Sequence, residues 1–186
     1  MMLAWTFRVG SIAALSLIAS ITSRSDTAQP VVGTQGSVMQ AFTSAFEGTW
    51  DIRVTGPNLS STAMHEGDEV WSFELGGVPF VERYHSKGVN GDHYDVGYFW
   101  WNSVTGTIEG SFCMSSIEQG CTPFHVQWEN NRAVMDGEYL NKGKVITWHE
   151  VFALSDKDAF TQTLDIREAG TEMRRVAVIS AKRHKK

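Results

Sequence analysis

Three polar residues stand at positions that strand alternation predicts to face inward. Glu82, Glu150 and Gln162 each have large apolar residues two positions before and two positions after them. Because successive side chains in a strand point to opposite faces, each polar group shares a face with these neighbours. The flanking pairs are Phe80 and Tyr84, Trp148 and Phe152, and Phe160 and Leu164. A carboxyl group in such a wall has a raised pKa, so Glu82 and Glu150 are candidate acid/base groups or ligand-orienting groups.

Two structural explanations for these carboxyl groups compete with the functional one. A β-bulge can turn Glu82 or Glu150 outward. Alternatively, Arg175 or Arg183 can pair with either of them in a structural ion pair. A small-molecule site requires instead that the carboxyl groups lie in an apolar cavity with few other polar groups.

The elements that must position these residues are β-strands separated by regular turns. Apolar and polar residues alternate in TWDIRV (49–54), and turns rich in glycine and asparagine follow at short intervals. This pattern is typical of antiparallel sandwiches and barrels. We expect an all-β, up-and-down barrel of about ten strands, because closure removes exposed strand edges. The predicted strands are 48–55, 67–75, 79–87, 92–101, 107–113, 122–129, 132–140, 144–154, 158–166 and 172–183.

One short helix is predicted before the first strand. The segment SVMQAFTSAF (37–46) places Val38, Met39, Phe42 and Phe46 at near-helical spacing. Ser37 is the expected N-cap, since serine side chains accept hydrogen bonds from the first free backbone N–H groups.

The two cysteines, Cys113 and Cys121, predict both a disulfide and a strand register. If they lie opposite each other, one face of the two strands collects apolar side chains such as Phe112 and Phe124. The other face collects polar side chains such as His125. Because a slip of one residue would exchange the faces, this separation supports a structural disulfide, as exported proteins often contain.

The aromatic run GYFWW (97–101) divides between the two faces of its strand. A four-residue loop after Asn102 places Phe99 and Trp101 on the inner face. Tyr98 and Trp100 then point outward, where they can form a surface for a protein partner.

The N-terminus is typical of an export signal. Arg8 precedes an uncharged apolar run at 9–21, which is too short to span a membrane comfortably and is followed by small residues. We predict a signal peptide at 1–25, a linker at 26–36 and one barrel domain at 37–186. The mature protein is then periplasmic or secreted and has no stable membrane span. An uncleaved N-terminal anchor is the alternative.

Charge and motifs argue against several other classes. The chain has 21 acidic and 16 basic residues, a net charge of −5, whereas nucleic-acid binding needs clustered lysines and arginines. The sequence lacks a metal-binding signature, a glycine-rich phosphate loop and a nucleophile turn, so we expect neither a metal nor a cofactor. The strand histidines are predicted to face solvent: His85, His93, His125 and His149.

Several motifs resemble those of known proteins. FEGTWDI (46–52) resembles the opening Gly-x-Trp strand of lipocalin-like barrels. The pattern W-x-x-x-LGG-x-x-F-x-E-x-Y (71–84), with GEYLNKGK (137–144) and EMRRVAVISAKR (172–183), is similar to the exported bacterial domain-of-unknown-function 1579 family. The resemblance covers residues 40–183, approximately, and implies a lipocalin-like barrel and export. It also implies that Trp50 caps the closed end against a basic residue of the last strand, either Arg183 or Arg175.

These observations favour an exported barrel that binds a small hydrophobic or aromatic molecule. The predicted walls of its site are Trp71, Phe73, Phe80, Tyr84, Phe99, Trp101, Trp128, Trp148 and Phe160. Glu82, Glu150 and Gln162 are predicted to orient the ligand. Two alternatives remain open: a proton-transfer or hydrolytic enzyme that uses Glu82 or Glu150, and an envelope interaction module.

Overall fold

The protein folds into one short helix and ten antiparallel strands in the computed structural model, which describes residues 36–56, 65–74, 77–88, 91–115 and 117–185. The predicted signal peptide at 1–25, and all of the predicted linker except Gly36, lie outside the described residues. The elements are α1 Ser37–Phe46, β1 Gly48–Thr55, β2 His65–Phe73, β3 Phe80–Gly88, β4 Gly91–Asn102, β5 Thr107–Met114, β6 Cys121–Glu129, β7 Arg132–Asn141, β8 Lys144–Asp156, β9 Ala159–Glu168 and β10 Arg174–Arg183. In this part of the chain, no helix is both long enough and apolar enough to cross a membrane.

The strands form a closed barrel in which each strand pairs with its neighbours in the chain. The first and last strands complete the ring, from the Trp50–Arg183 pair to the Thr55–Val178 pair. Every strand is therefore hydrogen-bonded on both sides. The predicted fold class is confirmed.

The predicted register between the cysteine strands is also confirmed. Cys113 lies opposite Cys121 and the two form a disulfide. On the other side of β5, Phe99 lies opposite Gly110. A Cβ atom at Gly110 would lie 2.7 Å from the backbone oxygen of Tyr98 and 2.3 Å from the ring of Phe124. The close approach of these groups therefore depends on glycine at this position.

The outward aromatics of β4 lie on the predicted face. Tyr98 is 38% exposed, and Trp100 is half-buried beside it. Phe99 is fully buried on the inner face. The division of GYFWW between two surfaces is therefore confirmed.

Two local predictions are wrong. The residue that caps α1 is Gly36 instead of Ser37, and no side chain makes a capping hydrogen bond there. His93 faces the barrel interior, because it shares the inner face of β4 with Gly97 and Phe99.

Helix α1 fills one end of the barrel. Its residues Met39, Phe42 and Phe46 are buried. The ring of Phe42 lies with its centroid 5.3 to 6.0 Å from the centroids of four barrel aromatics. These aromatics are Trp71, Phe80, Phe99 and Trp128. We call this cluster, together with Phe46, Phe152 and Phe160, the aromatic plug.

The last strand holds the end of α1 in place. The guanidinium carbon of Arg183 lies 4.1 Å from the ring centroid of Trp50. Its Nη1 donates a hydrogen bond of 2.6 Å to the backbone oxygen of Glu47, and Trp50 Nε1 donates one of 2.8 Å to the backbone oxygen of Phe46. The guanidinium group is stabilised by a cation–π interaction with the ring and by the partial negative charge at the C-terminus of the helix. Of the two basic residues that the resemblance implied, Arg183 is the one that contacts Trp50.

We expect Phe42→Ala to reduce the free energy of unfolding by about 3–5 kcal/mol, because it leaves a cavity within the aromatic plug. Val38→Ala is the matched control on the same helix, since Val38 is 41% exposed. The control is expected to change the free energy by no more than about 0.5 kcal/mol. Urea unfolding of both variants tests this prediction, and similar losses in the two would contradict it.

Candidate ligand-binding site

The barrel contains a cavity of about 500 Å³ at the end away from α1. The main apolar residues of its wall are Phe112, Trp148, Leu164, Ile166 and Ile179. Gly91, Asp92 and Ser115 lie at its mouth and are exposed, so the cavity opens to solvent beside the turn between β3 and β4. Its volume is typical of small-molecule sites, which span about 300–1,000 Å³.

Four polar side chains are buried in the middle of the barrel. Glu69, Glu82, Glu150 and Gln162 have exposed fractions of 0%, 3%, 6% and 5%. Strand alternation carries them inward from β2, β3, β8 and β9. The inward orientation predicted for Glu82, Glu150 and Gln162 is therefore confirmed.

Neither structural explanation for the buried carboxyl groups holds. The strands that carry Glu82 and Glu150 keep a regular register at these residues. Arg175 pairs instead with Asp165, with Nε 2.8 Å from Oδ1. Arg183 is engaged at the closed end of the barrel.

Glu69 and Glu82 form a pair of interacting carboxyl groups. The Trp71 indole N–H donates a hydrogen bond to Glu69, and the carboxyl groups of Glu69 and Glu82 interact with each other. Burial raises the pKa of Glu69 to about 8. Burial, with the charges of Glu69 and Glu150, raises the pKa of Glu82 well above its usual range. Burial therefore favours the protonated form of both carboxyl groups, relative to carboxyl groups exposed to water.

A missing side chain makes room for Glu82. Gly97 lies directly opposite it on β4. A Cβ atom at Gly97 would lie 2.8 Å from Glu82 Oε2 and 2.6 Å from the ring of Phe112. The glycine therefore lets a carboxyl group and an aromatic ring meet over the same strand.

Glu150 titrates close to neutrality. Burial raises its pKa to about 7, against the effect of a hydrogen bond from Gln162 and with that of the Asp95 charge. The Gln162 Nε2 atom donates that bond to Glu150 Oε1 over 2.6 Å. Glu150 can therefore gain or lose a proton under physiological conditions.

A second set of polar side chains lies nearer the mouth of the cavity. Asp95 and His93, both on the inner face of β4, are joined by a contact of 2.9 Å between Oδ2 and Nε2. This hydrogen bond raises the pKa of His93 against the opposing effect of burial. Burial also raises the pKa of Tyr84, whose hydroxyl interacts with that of Ser86.

Several buried polar atoms at the cavity lack a partner. Within the described part of the chain, Glu82 Oε2, Asp95 Oδ1, Gln162 Oε1 and Trp148 Nε1 make no hydrogen bond. All four residues line the cavity. Each of these atoms is therefore available to a hydrogen-bonding partner within the cavity.

The structure divides the sequence-predicted site into two groups. Glu82, Tyr84, Trp148, Glu150 and Gln162 line the cavity. The other seven predicted wall residues do not line it, because they lie in or against the aromatic plug: Trp71, Phe73, Phe80, Phe99, Trp101, Trp128 and Phe160. Helix α1 occupies the space beside them, which strand registers could not show.

Three site residues were missed by sequence reasoning, although alternation marks them. Glu69 stands two positions before Trp71, on the same face of β2. His93 and Asp95 stand four and two positions before Gly97 on β4. The signal was present, but aspartate and glutamate side chains are mostly exposed in folded proteins, so such positions are ordinarily read as solvent-facing.

Comparison with known proteins identifies the fold. No family model matches the sequence, and no curated protein matches it. The crystal structure of Rv2717c from M. tuberculosis superposes with a TM-score of 0.57 and 14% identity, over 80% of this chain and 98% of that one. The S-type phycobiliprotein lyase CPES from Guillardia theta superposes with a TM-score of 0.55 and 9% identity, over 83% of this chain and 99% of that one. At these identities the likeness concerns the fold alone: a lipocalin-like barrel, here with one end filled and a cavity at the other.

We expect the stability of the protein to fall as the pH rises from about 5 to about 8. The native state retains protons on Glu150 and Glu69 whose pKa values are about 7 and about 8, whereas the unfolded chain releases them near 4.5. The free energy of unfolding therefore declines through this window. Glu150→Gln should remove about 3 kcal/mol of the decline, since it cannot ionise.

Urea unfolding at both pH values measures this difference. Glu129→Gln is the matched control, because Glu129 is an exposed carboxylate on β6. An equal pH dependence in the wild type and Glu150→Gln would contradict the assignment of Glu150 as a titrating group.

Proposed function

We propose that this protein binds a small, largely apolar molecule that carries one polar group, in the cavity at the open end of the barrel. The observation that supports this most directly is the set of buried polar atoms without a protein partner in an apolar wall. Small-molecule sites have this composition, because apolar walls supply affinity and a few placed polar groups supply orientation.

The position of the polar atoms supports a defined binding mode. Glu82, Glu150 and Gln162 lie deep in the barrel, whereas Phe112, Leu164 and Ile166 line its wall. A ligand that enters with its polar group first satisfies the deep atoms and places its apolar body against the wall. Burial of that apolar body contributes about 25 cal/mol for each Å² removed from water.

Export and family membership belong to the same proposal. The Cys113–Cys121 disulfide supports an oxidising compartment, as is usual for exported proteins. The signal peptide at 1–25 and membership of the domain-of-unknown-function 1579 family remain predictions. The Guillardia theta protein is an S-type phycobiliprotein lyase, and at 9% identity its likeness to this chain concerns the fold alone.

The neutral fluorophore N-phenyl-1-naphthylamine tests the cavity directly. We expect the wild type to bind it with increased fluorescence and Ala177→Trp to bind it at least about tenfold more weakly. Ala177 lines the cavity, and an indole there fills the space. Ser180→Trp is the matched control on β10, because Ser180 is exposed on the outer face.

Two outcomes of the fluorophore titration would contradict the proposed binding site. If the wild type does not bind the fluorophore, or if Ala177→Trp and Ser180→Trp bind it equally, the cavity is not a ligand site. Circular dichroism of each variant verifies that the barrel is folded in all three proteins.

A second candidate function, general acid/base catalysis, is favoured by the pKa of Glu150. A carboxyl group with a pKa of about 7 in a cavity is suited to proton transfer at neutral pH. Hydrolysis of p-nitrophenyl acetate should then show a rate that rises through pH 7 and is lost in Glu150→Gln. A rate that is the same in the wild type and in Glu150→Gln would exclude Glu150 as the base.

A further inference from the structure

We propose that the polar group of the ligand is a protonated amine, which binds between Glu82 and Glu150 at the bottom of the cavity. This inference rests on the proposed function and narrows it to one chemical class, an amine attached to an apolar body. It follows from the kinds of hydrogen-bonding atoms that face the cavity, from their charges and from their burial.

Acceptors outnumber donors among the unpartnered atoms. Glu82 Oε2, Asp95 Oδ1 and Gln162 Oε1 are oxygens, and Trp148 Nε1 is a nitrogen donor. The carboxyl group of Glu150, which receives the Gln162 amide, adds further acceptor capacity. An ammonium group has three N–H donors and no acceptor, so it matches a convergent set of oxygens.

The charges that line the cavity favour a cation over an anion. Among the described lining residues, none is a lysine or an arginine, whereas four carry carboxyl groups: Glu82, Asp92, Asp95 and Glu150. His93 is the one basic side chain among them, and its contact with Asp95 offsets part of that charge near the mouth. A ligand carboxylate at the bottom of the cavity would face two buried acidic groups without a cation to balance it.

The carboxyl groups are close enough for their charges to interact across the barrel. The charge of Glu150 acts on Glu69 and Glu82, and the charge of Asp95 acts on Glu150. An ammonium group placed between them therefore interacts with several acidic groups at once. In a buried site, such charge-assisted hydrogen bonds are stronger than neutral ones.

Other titratable groups share the cavity with Glu150 or interact with its charge, and they enter the pH dependence. Within the described residues they are Glu69 on β2, Glu82 and Tyr84 on β3, Asp92, His93 and Asp95 on β4, and Tyr139 on β7. The side chains that line the cavity from β1, β9 and β10 are uncharged, as are those from β5, among them Val54, Phe112, Gln162, Leu164 and Ile179. Acidic groups thus dominate the surroundings of Glu150.

Amine binding should release a proton. Glu150 is partly protonated near pH 7, and an arriving cation lowers its pKa, so the carboxyl proton passes to the buffer. Deprotonation of His93 at higher pH acts in the same direction, because it leaves the charge of Asp95 unopposed. Amine affinity is therefore expected to increase from pH 5.5 to pH 8, about tenfold or more.

Two series of matched ligands test this inference by isothermal titration calorimetry. The first consists of tryptamine, tryptophol and indole-3-acetate, and the second of decylamine, 1-decanol and decanoate. Within at least one series we expect the amine to bind about tenfold or more tightly than the alcohol at pH 8, and the carboxylate to bind most weakly. Titrations at pH 6.5 in phosphate and in ACES, two buffers that differ in ionisation enthalpy, should reveal about one proton released with the amine and none with the alcohol.

Glu150→Gln supplies the specific control, because the amide keeps the shape of the side chain and removes its charge. In this variant the preference for the amine over the alcohol and the proton release should both decrease, and circular dichroism verifies that the barrel is folded. Glu129→Gln, on the outer face of β6, should behave as the wild type.

Each contrary result identifies the step that fails. If the fluorophore binds in the cavity but neither series prefers the amine, the amine inference is overturned and the proposed apolar site stands. If the alcohol or the carboxylate binds most tightly, the amine inference is likewise overturned. If the fluorophore itself does not bind, the proposed function fails, and the inference fails with it.

Discussion

The packing of α1 inside one end of the barrel determines where every other feature can lie. Phe42 and Phe46 contact aromatic rings on strands from around the barrel, so the helix side chains occupy the interior between these strands. Arg183 then holds the helix end through Trp50 and the Glu47 carbonyl. Because the interior is filled at one end, the cavity and the acidic groups are confined to the other. The aromatic plug thus lies at one end of the barrel and the cavity at the other.

A layer of buried carboxyl groups lies between the aromatic plug and the cavity and reduces the stability of the fold. Glu69, Glu82 and Glu150 are buried, and burial raises the pKa of each carboxyl group above its usual range. Natural proteins accept such local conflicts mainly at functional sites. The aromatic plug and the closed ring of strands stabilise the fold and offset the cost of burying these carboxyl groups. Gly97 makes room for this layer, since a side chain there would collide with Glu82.

The lipocalin-like architecture allows one fold to hold unrelated ligands. The Rv2717c and CPES structures superpose on this chain with 14% and 9% sequence identity, so the likeness concerns the barrel fold alone. Inward-facing positions alternate with outward ones along each strand, and a lining residue can change without disturbing the hydrogen-bonded ring. The chemistry of this protein therefore has to be derived from its own cavity, where oxygen acceptors predominate.

The sequence by itself determined the strands, the faces and the register, because alternation, turn length and the cysteine pair act between residues close in the chain. These local rules placed Phe99 opposite Gly110 and turned Glu82, Glu150 and Gln162 inward. They also marked Glu69 and His93 as inward, although those positions were not read so. Only the tertiary structure decided how far α1 enters the barrel, and hence that Trp71 and Phe80 belong to the plug while Trp148 lines the cavity. That depth depends on packing between side chains far apart in sequence, and alternation carries no information about position along the barrel axis.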